Sequence, residues 1–409
     1  MDDLATDTSS GETDDLAGLL GDQVWRFGEL FGDGAPVRCF FSPGRVNLMG
    51  AHLDYNGGPV MPMAIDRGTL LVVRPRADRR VRLRSTLAPE SFEGELGGLP
   101  AESSGRWSDY PIGVLRALAD RAPEACGFDV LFGGNLPVGA GLSSSASICV
   151  GTALAVDALW KLGLEPLERV RVALQAERGF VGVHCGIMDP FAVGLARPAH
   201  VLWLDCKDRS FEHLPLDTSE VRVVVADTGV RRQLAKGAFN RRVAEARLAF
   251  DTLSSYAPGA TCLRDVPLDV LEAHRGDLTG TLEHRARHVL EEVQRTFEAR
   301  DALRAGDLAG FGERMSGAHA SLRDHYEVSV PELDCLVDAA LGHPAVLGAR
   351  LTGAGFGGCV VILARREYGD LEETVASGFE DRFGTRPKVE VFSGDRGPRE
   401  VRVPWSESA

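Results

Sequence analysis

The segment "GRVNLMGAHLDYNGG", residues 44–58, places one arginine, one histidine and one aspartate among four glycines. Glycine allows backbone conformations and close backbone approaches that a Cβ atom would block. Polar side chains beside accessible backbone groups are typical of a pocket that orients a small ligand. We therefore predict that this segment binds a small polyhydroxylated molecule.

A second segment, "NLPVGAGLSSSAS", residues 135–147, stands immediately before a long apolar run with helical character. Its candidate residues are two glycines and three serines: Gly139, Gly141, Ser143, Ser144 and Ser145. The serines stand where the helix should begin, so free N–H groups and the positive end of the helix dipole favour phosphate binding. The alternative is that a serine only caps the helix. The segment matches neither GxxxxGK(S/T) nor GxGxxG, the two common nucleotide-binding loops.

Two later segments add further candidates. "LTGAGFGGCVVI", residues 351–362, has four glycines in six positions, which predicts close approach to a ligand or another loop, or else a tightly packed β-bulge. In "QAERGFVGVHCGIMDPFAVG", residues 175–194, Glu177 lies on a predicted helix and Asp189 follows a turn at Gly186. A carboxylate among apolar residues is costly unless it is paired or functional, and near a cation it can accept a proton. Asp189 is therefore either a catalytic candidate or a helix cap.

Composition restricts the class of protein. The 409 residues carry a net charge of −14, which argues against nucleic acid or an anionic membrane as the partner. Eight cysteines without a CxxC pair predict free thiols in a reducing compartment. The acidic, polar N-terminus does not resemble a signal peptide, and no apolar run reaches the roughly 18 residues of a membrane helix. We predict a cytoplasmic protein.

The order of predicted elements indicates the fold class. Strands dominate the first part of the chain, and helices and strands are mixed later, without the regular βαβ alternation of a doubly wound sheet. This order predicts an α+β fold in two lobes. We expect a disordered acidic tail over residues 1–14, an N-terminal domain over 15–215 and a C-terminal domain over 216–409.

These segments resemble, in the same order, the motifs of the GHMP kinases and, within them, of the galactokinase family. The first is similar to the family signature Gly-Arg-Val-Asn-Leu-Ile-Gly-Glu-His-Thr-Asp-Tyr-Asn-Gly-Gly, and "WSDYPIGVL", residues 107–115, is similar to a further family element. The resemblance implies a two-lobed GHMP-kinase-like fold with the active site between the lobes. It also implies transfer of the γ-phosphoryl group of ATP to the anomeric hydroxyl of a galactose-type monosaccharide, with Mg²⁺, by a monomer.

The resemblance also assigns roles to individual positions. Asp189 matches the proposed catalytic carboxylate, and Arg45 matches the arginine that stabilises negative charge beside it. Trp107 matches a residue near the adenine, and the glycine–serine loop matches the ATP-phosphate loop. Glu177 and Ser144 match the Mg²⁺ ligands. The sugar contacts match Ala51, His52, Asp54, Gly186 and Phe239.

Several positions depart from the family pattern. Ala51 replaces a glutamate that reaches the C6 hydroxyl of the sugar, and Phe239 replaces a tyrosine beside the sugar. Leu53, Pro190 and Ala354 replace a threonine, a glutamine and a glycine. Each missing hydrogen-bond partner costs roughly 1–3 kcal/mol in a buried site. The hypothesis is a sugar altered at C6, such as galacturonic acid, a bulkier relative or a pentose; the alternative is drift, with galactose still the substrate.

Two other functions remain open from the sequence. One is an ATP- and sugar-binding regulatory protein, which the complete set of Arg45, Glu177 and Asp189 disfavours. The other is a GHMP kinase with a non-sugar substrate such as mevalonate or homoserine, which the "HLDYNGG" motif disfavours.

Overall fold

The computed structural model describes residues 10–137, 139, 141–183, 186–231 and 235–402, without the side chains of residues 10–15, 235 and 236. The strands within these ranges are β1 (Arg38–Met49), β2 (Pro59–Pro75), β3 (Arg80–Ser85), β4 (Phe92–Glu95), β5 (Phe128–Gly134), β6 (His200–Asp205), β7 (Phe211–Pro215), β8 (Val221–Asp227), β9 (Val346–Thr352), β10 (Cys359–Arg365), β11 (Lys388–Phe392) and β12 (Arg399–Val401). The helices are α1 (Ser10–Phe31), α2 (Asp109–Ala119), α3 (Ser144–Trp160), α4 (Pro166–Gln175), α5 (Met188–Gly194), α6 (Ala235–Leu253), α7 (Leu268–His274), α8 (Leu282–Arg304), α9 (Leu308–Asp324), α10 (Pro331–Leu341) and α11 (Leu371–Phe383). A π-helix, Ala176–Val181, directly continues α4.

The described strands form two sheets. The first has the order β12-β1-β2-β5-β3-β4, and β6 pairs with both β2 and β7. Its pairs are antiparallel except for β3 with β5. The second sheet has the antiparallel order β11-β8-β10-β9. Helices pack on both sheets, so the predicted α+β class is confirmed.

The chain passes from the first sheet to the second between β7 and β8, where the predicted domains meet. It later returns, because β12 pairs with β1, and the C-terminal segment therefore completes the N-terminal sheet. The core is also shared, since one buried cluster includes Leu53 and Phe191 together with Ala349 and Phe379.

The disordered tail predicted over residues 1–14 is not observed where the structure describes that range. Residues 1–9 lie outside the described residues, and α1 begins at Ser10, so the last five residues of that range are helical. The reason is cooperative: Leu20 and Phe27 are buried against the first sheet, and a packed helix extends at low cost toward its N-terminus.

Helix α3 is apolar on nearly all sides and is correspondingly buried, as expected for such a helix. It lies against β1 and β2 at close range. A Cβ atom on Gly151 would approach Leu71 and Ser42 to 2.9 Å. This packing fixes the N-terminus of α3, and with it the serine loop, beside the strand that carries Arg45.

The segment "VRCFFSPGRVNLMG", residues 37–50, predicts a strand that leads into a loop, and β1 differs from this prediction. It continues through the first motif to Met49, with a register shift between Pro43 and Gly44. At Gly44 a Cβ atom would lie 2.4 Å from the Leu136 side chain and 2.8 Å from the Leu142 carbonyl oxygen. The bare backbone therefore lets the serine loop lie directly on the strand.

Two sequence predictions concern the chain as a whole. The cysteines in the described ranges are free thiols, as predicted, and Cys185 lies outside those ranges. A search of the described helices finds none with the length and apolar character required to cross a membrane.

Candidate active site

A cavity of about 200 Å³ lies where β1, α5, α6 and the loop after β9 meet. Residues from four distant parts of the sequence line it. All seven positions predicted to contact the sugar or the transferred phosphoryl group are among them: Arg45, Ala51, His52, Asp54, Gly186, Asp189 and Phe239. The fold therefore brings the predicted residues into one site.

Arg45 and Asp189 form the charged centre of this cavity. Nε and Nη2 of Arg45 lie 2.8 and 2.7 Å from Oδ1 of Asp189, and Nη1 donates to the Gly141 carbonyl oxygen at 2.5 Å. The Ser143 hydroxyl donates to Oδ2 of Asp189 at 2.5 Å. Arg45 is buried whereas Asp189 is partly open to the cavity, so the carboxylate can reach a ligand while its orientation is fixed from behind.

Asp54 is a second carboxylate that faces the cavity. Burial raises the pKa of Asp54 to about 6, and the negative charge of Asp189 acts in the same direction. Gly186 lies directly against it, because a Cβ atom there would be 1.5 Å from Asp54 Oδ2. The glycine at this position is therefore required for the carboxylate to occupy its place.

Replacing Gly186 with alanine should raise the KM for the sugar at least tenfold, because the methyl group forces Asp54 out of the cavity. The Kd for ATP should remain within about twofold. Gly179→Ala is the matched control, since a Cβ atom there meets only the Gln175 side chain at 4.0 Å. Steady-state kinetics of both variants test this, and a Gly186→Ala enzyme with an unchanged sugar KM would contradict it.

His52 closes the cavity near Ala51 and Phe239. Its backbone has a φ of +60°, which is uncommon for a residue other than glycine. Burial, followed by the charge of Arg350, lowers the pKa of His52 to about 3, so the ring is neutral. Nδ1 lies 2.8 Å from the Tyr55 hydroxyl, and the ring also forms a hydrogen bond with the Ala354 backbone.

Three described residues of the serine loop have left-handed backbone conformations. Gly139, Gly141 and Ser143 have φ values of +74°, +77° and +64°. Ser143 makes no side-chain cap to α3, which removes the simple helix-cap alternative. Gly141 and Gly353 approach each other closely enough that a Cβ atom on Gly141 would lie 3.8 Å from the Gly353 Cα. The serine loop and the segment 351–362 therefore meet beside the cavity that contains Asp189.

A second cavity of about 200 Å³ lies on the other side of the serine loop. Trp107, Tyr110 and Phe132 form its walls, and Ser144 and Ser145 lie at its edge. The Trp107 indole is fixed by donating to the Glu90 carbonyl oxygen at 2.9 Å. A flat, largely apolar slot beside a phosphate loop has the shape and polarity required by a nucleobase.

Glu177 lies on the π-helix, an element that is frequent at functional sites. Burial raises the pKa of Glu177 to about 7; Asp189 raises it further, and a hydrogen bond from Ser145 lowers it. Its Oε2 has no hydrogen-bond partner in the described part of the chain. A buried, unsatisfied carboxylate oxygen beside serine hydroxyls fits a hard divalent cation whose other ligands are phosphate oxygens and water. The described residues contain no cluster of three or more acidic, histidine or cysteine ligands.

Glu177→Gln should flatten the pH dependence of stability of the metal-free protein. The pKa of Glu177 is about 7 in the folded state and 4.5 ordinarily, so its favourable contribution is complete below about pH 4.5 and is lost as pH rises through 7. The loss is about 3 kcal/mol at most. Denaturant unfolding at several pH values compares the two proteins. If the free energy of unfolding changes equally with pH in wild type and variant, the raised pKa of Glu177 is contradicted.

The cavity also contains residues from the quoted segments to which the sequence analysis assigned no individual role. Asn47, Tyr55, Val183, Met188, Gly353 and Ala354 complete its lining. Behind it, buried Arg350 donates from Nη1 to the Leu48 carbonyl oxygen at 3.2 Å, and its Nη2 has no partner among the described residues. A lone arginine inside the run "VLGARLTG" was the available signal for that residue.

Comparisons with known proteins agree with this geometry. The model of the galactokinase galactose-binding signature matches residues 26–75. The model of the GHMP kinase N-terminal domain matches residues 109–197, and that of the GHMP kinase C-terminal region matches residues 299–380. A galactokinase from Roseiflexus is 42% identical over 87% of this chain and 91% of its own length. A galactokinase from Fusobacterium nucleatum is 39% identical over 94% of this chain and 100% of its own length.

Solved structures give the same result. The crystal structure of Lactococcus lactis galactokinase complexed with galactose superposes with a TM-score of 0.88, at 35% identity over 94% of this chain and 100% of that one. Methanococcus jannaschii mevalonate kinase shares the fold, with a TM-score of 0.64. Its sequence identity is 19%, and the superposition covers 88% of this chain and 99% of the mevalonate kinase.

The two-lobed α+β fold, the serine loop and the matched models define a GHMP kinase. Within that superfamily the chain belongs to the galactokinase family, because its sequence is 42% and 39% identical to two galactokinases over 87% and 94% of its length. It is an ATP-dependent kinase that forms a sugar 1-phosphate.

Proposed function

We propose that this kinase phosphorylates the anomeric hydroxyl of a galactose-type sugar that carries a carboxylate at C6, with galacturonic acid as the simplest example. The observation that carries the proposal is that Ala51 and Phe239 line the sugar cavity, where the family pattern has glutamate and tyrosine. Two hydrogen-bonding groups are therefore missing on one side of the substrate. The galactose-type configuration itself follows from the family.

The charge distribution around the cavity supports this substrate. Asp54 and Asp189 lie at one end, and Arg45 pairs with Asp189. At the other end, the positive charges of Arg350 and Arg242 are close enough to His52 to lower its pKa. A glutamate at position 51 would repel a carboxylate there, whereas alanine leaves space and adds no negative charge.

In the proposed mechanism the anomeric oxygen of the sugar attacks the γ-phosphorus of ATP while Asp189 accepts its proton. The bond from the γ-phosphorus to the β,γ-bridging oxygen breaks, and ADP leaves. Arg45 stabilises the negative charge on the moving phosphoryl group, because its guanidinium lies between Asp189 and the Gly141 carbonyl. The serine loop orients the triphosphate, and Trp107 contacts the adenine. Positioning and charge neutralisation supply most of the catalysis in such transfers.

The proposed Mg²⁺ ligands are Glu177 and one serine of the loop, either Ser144 or Ser145. The unsatisfied Oε2 of Glu177 and the hydrogen bond from Ser145 support this assignment. A bound magnesium ion would neutralise charge on the triphosphate oxygens. The chain's own contribution is to keep one buried carboxylate oxygen facing the loop.

Purified protein with Mg-ATP should be assayed against galactose, galacturonic acid, arabinose and N-acetylgalactosamine. The expected result is the highest kcat/KM with galacturonic acid. A kcat/KM at least tenfold higher for galactose than for the others would reject the altered substrate and support drift at Ala51 and Phe239. Methyl galactoside and methyl galacturonoside, blocked at the anomeric oxygen, should release no ADP; ADP release would reject the anomeric site of transfer.

A further inference from the structure

The hydroxyl of Ser143 lies between the phosphate loop and the carboxylate of Asp189. It donates to Asp189 Oδ2 at 2.5 Å, and the residue is buried, with 8% of its surface exposed. A serine immediately before a helix ordinarily caps the free amides of the first turn. Here no side-chain cap forms, and the hydroxyl is directed at the carboxylate instead.

The backbone at Ser143 indicates that this geometry is imposed by the surrounding structure. Its φ of +64° and ψ of +49° lie in the left-handed region, which is strained for a residue other than glycine. Such conformations persist where surrounding contacts fix them. Two neighbouring contacts do so here: Ser147 N donates to the Ser143 carbonyl at 3.0 Å, and Arg45 N donates to the Leu142 carbonyl at 3.1 Å.

The carboxylate of Asp189 is engaged on both oxygens in this state. Oδ1 faces Nε and Nη2 of Arg45, and Oδ2 accepts from Ser143. A sugar hydroxyl that approaches Oδ2 must therefore share or displace the Ser143 hydroxyl. Hydrogen bonds to a charged acceptor are stronger than those between neutral groups, so this competition weakens sugar binding.

We propose that Ser143 is a positioning residue that links the two substrates: it holds Asp189 while the phosphate loop is empty and releases it when the triphosphate enters. A rotation of the serine side chain moves its hydroxyl from Oδ2 to a phosphate oxygen in the adjacent loop, and no covalent bond changes. The freed Oδ2 then accepts the sugar hydroxyl. This proposal rests on the role of Asp189 given under the proposed function.

The test measures sugar affinity by calorimetry with and without a non-hydrolysable ATP analogue and Mg²⁺. Both galactose and galacturonic acid serve as probes. In the wild-type enzyme the analogue should tighten sugar binding about tenfold, within the range usual for coupled sites. In Ser143→Ala and Ser143→Gly the sugar should bind equally well in both conditions, because Oδ2 is never occupied. Glycine also removes the left-handed strain, so agreement between the two variants assigns the effect to the hydroxyl.

Ser329→Ala is the matched control, because it also removes a hydroxyl that donates to a carboxylate, Asp334 Oδ1 at 2.5 Å, while neither residue lines either cavity; its coupling should persist. Steady-state kinetics give a second readout. Because Ser143 would release Asp189 before phosphoryl transfer, Ser143→Ala should raise the KM for ATP. Its kcat should stay within about tenfold of the wild-type value. Coupling that survives in both Ser143 variants, or is absent in wild type, would overturn the proposal. So would a kcat loss of a hundredfold with coupling intact.

Failure of this inference can be separated from failure of the proposed function. Asp189→Asn tests the carboxylate directly. If that variant is inactive while the Ser143 variants keep the coupling, only the link through Ser143 is wrong. If it remains active, the role of Asp189 itself is wrong.

Discussion

Asp189→Asn should lower kcat by a factor on the order of 10²–10⁴, the usual contribution of a positioned general base. The amide keeps the shape of the side chain and its place beside Arg45, but it cannot accept the proton of the anomeric hydroxyl. The Kd for ATP should change little, because Asp189 lies on the sugar side of the serine loop. ADP release and ATP titration measure the two quantities.

A double-mutant cycle with Arg45→Met sharpens this test. Arg45 contacts Asp189 through two nitrogens, so the two substitutions should be far from additive in their effects on kcat. Folding of each variant is checked by its thermal transition. An Asp189→Asn enzyme that keeps more than a tenth of the wild-type kcat would contradict the assignment of the base.

The second large effect is expected from Ala51→Glu combined with Phe239→Tyr. This pair restores the two polar groups of the family pattern, and two buried hydrogen bonds at roughly 1–3 kcal/mol each correspond to a factor of roughly 30 to 2×10⁴ in relative kcat/KM. Preference should move from galacturonic acid toward galactose, because the new carboxylate repels a C6 carboxylate and binds a C6 hydroxyl. The ratio of kcat/KM for the two sugars is the measured quantity.

Leu53→Thr provides the control for this substitution pair. Leu53 also departs from the family signature, but it is fully buried in the core and does not line the cavity. Its replacement should lower stability without changing the ratio between the sugars. If Leu53→Thr shifts the ratio as much as the double variant, general loosening of the site, and not Ala51 and Phe239, sets the preference.

The sequence predicted the constituents of the site better than the connections among them. Arg45, His52, Asp54 and Asp189 each stand in a local motif, so short-range patterns were enough to select them, and one cavity contains them all. The contact of the Ser143 hydroxyl with Asp189 could not be predicted, because it depends on a left-handed backbone and on packing between residues 46 positions apart.

Other features were missed for similar physical reasons. The Tyr55 hydroxyl lies 2.9 Å from that of Tyr326, and this pair, separated by 271 positions, supports His52 from behind. The π-helix that carries Glu177 has no propensity signal distinct from an α-helix. The loop expected within residues 37–50 is absent, because β1 continues to Met49 and a register shift accommodates Pro43 and Gly44.

The pairing of β12 with β1 has a consequence for biosynthesis. Residues 399–401 lie beside Cys39, Phe40 and Phe41, and Glu400 forms a two-nitrogen ion pair with Arg38. A ribosome releases the N-terminal end of a chain first, so this edge of β1 stays unpaired until residues 399–401 have been synthesised. Nascent chains therefore carry an open strand edge at Cys39, Phe40 and Phe41, and an unpaired edge of this kind favours aggregation until β12 covers it.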